Sequence, residues 1–215
     1  MAIFNSSRAF LVTAFVAATT AGNGWVQTQD ASAVYVPGAT SVAVLPVVNV
    51  SGEPDPNFKA GQIKAVSDQL RKEFATRGFK VLDDKIITDA VTTSKIDLTD
   101  EEQHSRKMVI TVGASVKADL AVFVVINKVY TKSNEHFFTS DKEGHAKITI
   151  WLVDVKQQKP LLSAKSQESK QGSAEFFANS VKGSEQIFAA CSSAVKAALA
   201  VPLKPYAVAK EKGSQ

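Results

Sequence analysis

The sequence predicts an α/β fold: a single domain on a mixed five-stranded sheet, ordered βαβ(α)αβββα, its first three strands parallel and its end an antiparallel meander. Three observations predict it. An apolar, β-branched run at 41–50 (SVAVLPVVNV), a helical stretch and a second short apolar run fall within about forty residues, the length of a right-handed parallel unit. A further helical stretch leads into the strongly apolar run Leu120 to Tyr130. Two more strand-like runs then follow each other across a connection of hairpin length.

In order along the chain, residues 1–8 (MAIFNSSR) carry one positive charge and 9–21 (AFLVTAFVAATTA) are apolar, the layout of a secretory signal. The run is shorter than the roughly 20 residues that span a bilayer core, so no stable membrane span is expected once it is removed. Small residues at Ala31-Ser32-Ala33 place the cut after Ala33, with Ala21 as the alternative. Residues 1–33 are thus read as a signal peptide, 40–200 as the domain and 201–215 as a flexible Lys-rich tail. The expected location is periplasmic or secreted. No cysteine follows the run, so a lipid anchor of the bacterial lipoprotein kind is not expected.

Run 41–50 reads as a strand buried on both faces, with a bulge or the end of regular pairing near Pro46, which has no ladder donor. From Asn57 to Arg77, residues Ile63, Val66, Leu70 and Phe74 recur at helical spacing, and Gly78 supplies a left-handed stop. Phe79 to Leu82 is a short strand. Asp83 caps a short helix through Ile86, Ile87 and Val91. Thr99 with Glu102 reads as a capping box before a helix through Met108, Val109, Val112 and Val116. Lys147 to Val155 and Leu161 to Ser169 form a hairpin across Lys156 to Pro160, the second strand being the more polar and so the sheet edge. The last helix, Ala174 to Ala200, puts Phe177, Val181, Phe188, Cys191, Val195 and Leu199 on one face.

Composition narrows the function classes. The chain carries 25 basic and 21 acidic residues for a net charge of +4, its only arginines are Arg8, Arg71, Arg77 and Arg106, and no basic run is interleaved with aromatics, so nucleic acid is not an expected partner. With Cys191 as the single cysteine there is no internal disulfide, and a chain of this size needs none to fold. Cys191 on an apolar helix face reads as a small hydrophobe. No Gly-x-Ser-x-Gly elbow marks a nucleophile, and neither an enzyme nor a cofactor is expected.

Three segments are chemical candidates. Asn49, Ser51, Glu53 and Asp55 leave the carboxyl end of the first strand, where α/β sheets bind ligands. The loop has a single Gly and no closing Lys, and its two acids repel anions. The competing reading is a Pro-stiffened turn whose acids favour the helix amino terminus. His136 and His145, with Glu135, Asp141 and Glu143, are metal-ligating types in a spacing that fits no closed site, so no metal is assigned. His104 invites no role. The loop Lys132 to Gly144 sets Phe137 and Phe138 in a polar surround beside Lys132 and Asn134, the composition of a protein contact. The competing reading has the flanking strands run further, with one Phe under the sheet.

Val42-Ala43-Val44-Leu45-Pro46 through Asn49-Val50-Ser51-Gly52 resembles the opening of the amino-terminal domain of TolB and its relatives. Val112-Gly113-Ala114 to Ala118-Asp119-Leu120 is similar to that group's helix-to-strand junction, and Trp151-Leu152-Val153-Asp154-Val155 to its carboxyl-terminal hairpin. The same core occurs in curli-secretion proteins of the CsgG type and in LpoB-like activators of cell-wall synthases. The resemblance covers about residues 40–200 and rests on positions of the fold, so no functional residue carries over. It implies a non-catalytic envelope interaction module with a protein partner, although the chain lacks the lipid-bearing cysteine and TolB's β-propeller. The alternative is a periplasmic small-ligand or metal-binding protein. The edge strand Leu161 to Ser169 is a second expected partner surface.

Overall fold

The structure, a computed structural model, describes residues 36, 38–135, 140–175 and 183–206, all within the unit Val34–Gln215. The expected signal peptide and both cleavage points lie outside the described residues, as do His136, Phe137, Phe138, Phe177 and Val181.

The apolar run 41–50 forms β1 (Ser41–Val44) and β2 (Val48–Asn49), both parallel to a later strand. The break falls at Pro46, which has no N–H; Leu45 N and Val50 N on either side bond Val122 O and Ile126 O at 2.9 Å. Helix α1 (Pro56–Ala75) opens on Asp55, whose carboxylate accepts from the N–H groups of Asn57 and Phe58, with Pro56 in the first turn. It buries Val66, Leu70 and Phe74 and ends where Gly78, at φ 78°, turns the chain so that Phe79 N bonds Phe74 O at 3.1 Å. Strand β3 (Lys80–Val81) and helix α2 (Asp84–Thr93, capped by Asp83) follow. Ile87 and Val91 are buried, and Ile86 is exposed.

The expected capping box is overturned. Thr99 donates its hydroxyl to Asp97 Oδ1, Asp100 caps a single 3₁₀ turn at Glu101–Gln103, and α3 (Arg106–Ser115) is capped by Ser105, which accepts from Met108 N at 3.2 Å. Asp97 and Ser105 are both good local acceptors, so the chain makes two short turns where one box was expected.

Three long strands follow: β4 (Leu120–Glu135), β5 (Ser140–Asp154) and β6 (Lys159–Glu175). Sheet order is β3-β1-β4-β5-β6, with β2 also on β4; the β1, β2, β3 and β4 pairs are parallel and β4-β5-β6 antiparallel. This is the mixed sheet expected from the sequence, with β6 at its edge.

Two differences bear on function. The expected loop 132–144 is strand as far as Glu135 and again from Ser140, and Ala174 and Glu175, expected to open the last helix, belong to β6. Helix α4 starts only at Gly183 and runs to Ala200. The polarity that read as loop is the polarity of strands outside the central sheet.

Both sheet faces are covered at the central strands. On one, α1 and α4 pack over Val42, Val44, Val122, Val124, Ile148, Ile150 and Leu152; on the other, α2 and α3 pack over Ala43, Leu45, Ala121, Phe123 and Val153. Alanines 190, 194 and 198 on the buried side of α4 let it lie close. Residues 201–206, expected as the start of the flexible tail, fold back in a 3₁₀ turn (Lys204–Tyr206) and bury Leu203 in the α1–α4 core.

Candidate interaction surface

Asn49 is buried at the end of β2. Its Oδ1 accepts from the Ser51 N–H at 3.0 Å and hydroxyl at 2.7 Å, and its Nδ2 donates to Gln62 Oε1 at 2.6 Å. Glu53 Oε1 accepts from Asp55 N at 3.1 Å, and the Asp55 carboxylate occupies the first turn of α1, where an anion would otherwise bind. The structure therefore brings Asn49, Ser51, Glu53 and Asp55 together as a self-bonded turn and helix cap, in accord with the competing reading of that loop.

Gln62 escaped the sequence reading. It lies one turn before Val66 on the same stripe, fully buried, and its Nε2 has no hydrogen-bond partner. The spacing that marked Val66, Leu70 and Phe74 reaches back to it and was the available signal.

Cys191 is buried on α4, and burial pushes its thiol up to about 12, so it is not a thiolate nucleophile at neutral pH. Asp119, at the mouth of β4, accepts from the Ser41 N–H at 2.7 Å and hydroxyl at 2.9 Å on one oxygen and meets Lys156 Nζ at 2.6 Å on the other. Burial pushes this carboxyl up, but the bonds from Lys156 and Ser41 outweigh it and hold it below the usual carboxylate value. The arrangement pins β1, β4 and the β5–β6 turn together.

His145 is buried on β5. Its ring lies flat against that of the cross-strand residue Tyr130, with centroids 4.5 Å apart and planes 6° apart, and Nε2 is 3.3 Å from Glu143 Oε2. Lys128 Nζ sits 5.2 Å from the centre of the Tyr130 ring. Among the described residues no three His, Cys, Asp or Glu side chains are placed to hold one metal ion; His136 lies outside them. His104, which invited no role, packs edge-on to Phe123 at 5.1 Å and bonds Leu98 O through Nε2 at 2.8 Å.

No protein-family model and no curated protein matches this chain. Among solved structures it is similar to the lipoprotein GNA1162 of Neisseria meningitidis, at 20% identity over 75% of this chain and 99% of that one, with a TM-score of 0.45. It is also similar to the LpoB carboxyl-terminal domain from Salmonella enterica, at 13% identity over 63% and 84% of the two chains (TM-score 0.36). For the same domain from Escherichia coli the figures are 13%, 65% and 87%, with a TM-score of 0.38. The likenesses are distant, and neither activity nor partner is taken from them.

What remains is the β4–β5 hairpin. A bulge at Asn127 interrupts the register between Ile126 and Lys128, and Thr149 donates to Asn127 Oδ1 at 2.7 Å. Beyond it the strands stay paired to Glu135 opposite Ser140, about 26 Å of ribbon. The first turn of α4 seats at Gly144, so closely that a Cβ there would stand 2.3 Å from the Gln186 carbonyl carbon. Lys132 to Glu135 and Ser140 to Glu143 run past that seat, and Thr131 and Lys132 are exposed. Lys132 and Asn134 thus stand on the far part of the hairpin; Phe137 and Phe138 fall in the connection outside the described residues.

Proposed function

We propose that the chain is an exported, non-catalytic module of the cell envelope that binds a protein partner through the far end of the β4–β5 hairpin. Lys132, Asn134, Phe137 and Phe138 are its contact residues. The observation that carries this reading is a ribbon that continues past the α4 seat at Gly144, with exposed Thr131 and Lys132 leading to two adjacent aromatics. An extended, partly uncovered hairpin presents side chains without disturbing the core beneath it, and aromatic anchors in a polar surround supply most of the energy of such contacts. The switch-point loop and Cys191 support a non-catalytic role, since the polar groups of the one serve its own turn and the thiol of the other stays protonated.

The test is crosslinking of the tagged protein in its own envelope, followed by mass spectrometry, with Phe137→Ser and Phe138→Ser in parallel. Each substitution should weaken capture of the partner by at least about 30-fold, as loss of an anchor worth ~2 kcal/mol does. The melting temperature should hold within about 2 °C. Undiminished capture, or a collapse in melting temperature, would refute the reading.

A further inference from the structure

We infer that β6 is a docking edge for a second copy of this chain, the two β6 strands pairing antiparallel about a twofold axis through Ser169. The contact is separate from the hairpin end proposed above and stands or falls without it.

The sheet has two edges of very different length. At one, β3 has 2 residues, too short to template another strand. At the other, β6 runs for 17 residues, and among the described strands it pairs only with β5. A long edge leaves a row of backbone donors and acceptors facing outward, which another strand can take up, and from Lys165 to Glu175 the pairing of β6 with β5 is regular.

Charge selects the occupant and its register. In an antiparallel pair about a twofold axis, side chains of the same face meet, so the axis passes through a residue and not between two. An axis through Lys165, Glu168 or Lys170 sets a charge against its own copy. One through Gln167 draws Pro160, which has no N–H, into the ladder. The axis through Ser169 opposes Glu168 to Lys170 of the second copy, and Lys170 to Glu168 of the second copy, while Pro160 lies outside the paired span 163–175. Opposite charges facing each other across strands stabilise the pair, and like charges oppose it.

The test is sedimentation of the protein purified after export, over a concentration series. A dimer is expected. Glu168→Lys or Lys170→Glu alone should weaken it about tenfold, since each variant sets like charges opposite each other at both contacts, and the double variant should restore it. Ser169→Cys should give a disulfide-linked dimer on mild oxidation, whereas Ala164→Cys, far from the axis, should not. The native Cys191 is buried and does not compete. The Ser169→Cys result is read on a chain with native charges, so misfolding of a charge variant leaves the proposal open to refutation. A monomer at every concentration without the Ser169→Cys crosslink overturns it, as does a dimer indifferent to both single charge reversals. Phe137→Ser and Phe138→Ser should leave the dimer intact, which separates failure of this contact from failure of the hairpin reading.

Discussion

Replacing Gly144 with Ala tests whether α4 fixes the hairpin or merely lies near it. The added Cβ would meet the Gln186 carbonyl carbon at 2.3 Å, its oxygen at 2.5 Å and Ile187 N at 2.5 Å. Ordinary contacts between such atoms are about 3.5 Å, so the first turn of α4 must retreat by about 1 Å or the strand must bend. These are backbone atoms and no rotamer change relieves them. Overpacking usually costs about 1–3 kcal/mol, and a clash on backbone belongs at or above the upper end. Gly61→Ala is the matched control. Its Cβ would meet the Phe188 ring at 2.5 Å, but this ring is the end of a half-buried side chain that can turn. Alanine in the interior of α1 also gains about 1 kcal/mol in helix propensity. Urea unfolding followed by fluorescence, with half-buried Trp151 stacked on Phe123 against the core as the probe, should therefore give a large midpoint loss for Gly144→Ala and a small one for Gly61→Ala. If Gly144→Ala falls within about 0.5 kcal/mol of the parent, or costs less than Gly61→Ala, the close seating is wrong.

Ser105→Ala should cost about 1 kcal/mol in the same assay by removing the cap of α3, and Thr99→Ala clearly less; the reverse order would move the start of α3 back to Thr99. Asp119→Asn should cost about 1 kcal/mol at neutral pH, mostly through the Ser41 bonds because Lys156 is exposed. The folded-state value of Asp119 is depressed, so its contribution is complete above the unfolded value of about 4 and lost as pH falls through the folded one. Unfolding midpoints of parent and variant should therefore keep a constant gap above about pH 5 and converge in more acidic solution; a gap that widens on acidification would contradict this assignment.

The central sheet was legible because burial on both faces writes an unbroken apolar run, as in 41–50 and Leu120 to Ile126. Pro46 marked the break between β1 and β2 through its missing donor. The reading failed where strands leave that shelter. Lys132 to Glu135 and Ser140 to Glu143 are polar in sequence, and a polar strand beside a turn looks like a loop. Chain-local chemistry misplaced the α3 cap, since Thr99-x-x-Glu102 fits the box as well as Ser105 fits its own role. The Tyr130–His145 pair could not be read, because what defines it is a neighbour distant in sequence, whereas Gln62 lay on the stripe that the spacing of Val66, Leu70 and Phe74 already marked.

The same geometry explains why the proposed interaction surfaces lie away from the β1–β2 end of the sheet. At the β1–β2 end Asn49, Ser51, Glu53 and Asp55 serve a turn, a cap or the Asn49–Gln62 pair, and these bonds tie α1 to the sheet. Along β4 and β5 the bulge at Asn127 marks a change: before it both faces carry core side chains, and beyond it Lys128, Thr131, Lys132 and Lys147 are exposed while His145 and Ala146 stay buried. A bulge at that point raises the local twist and re-aims the strands. The ribbon beyond it is still anchored, through Gly144 against α4 and Ala146 in the core, so its direction is set by the domain. An element that is rigid at its root and polar at its end can carry a partner at the turn and a second copy along β6 without either contact reaching into the core.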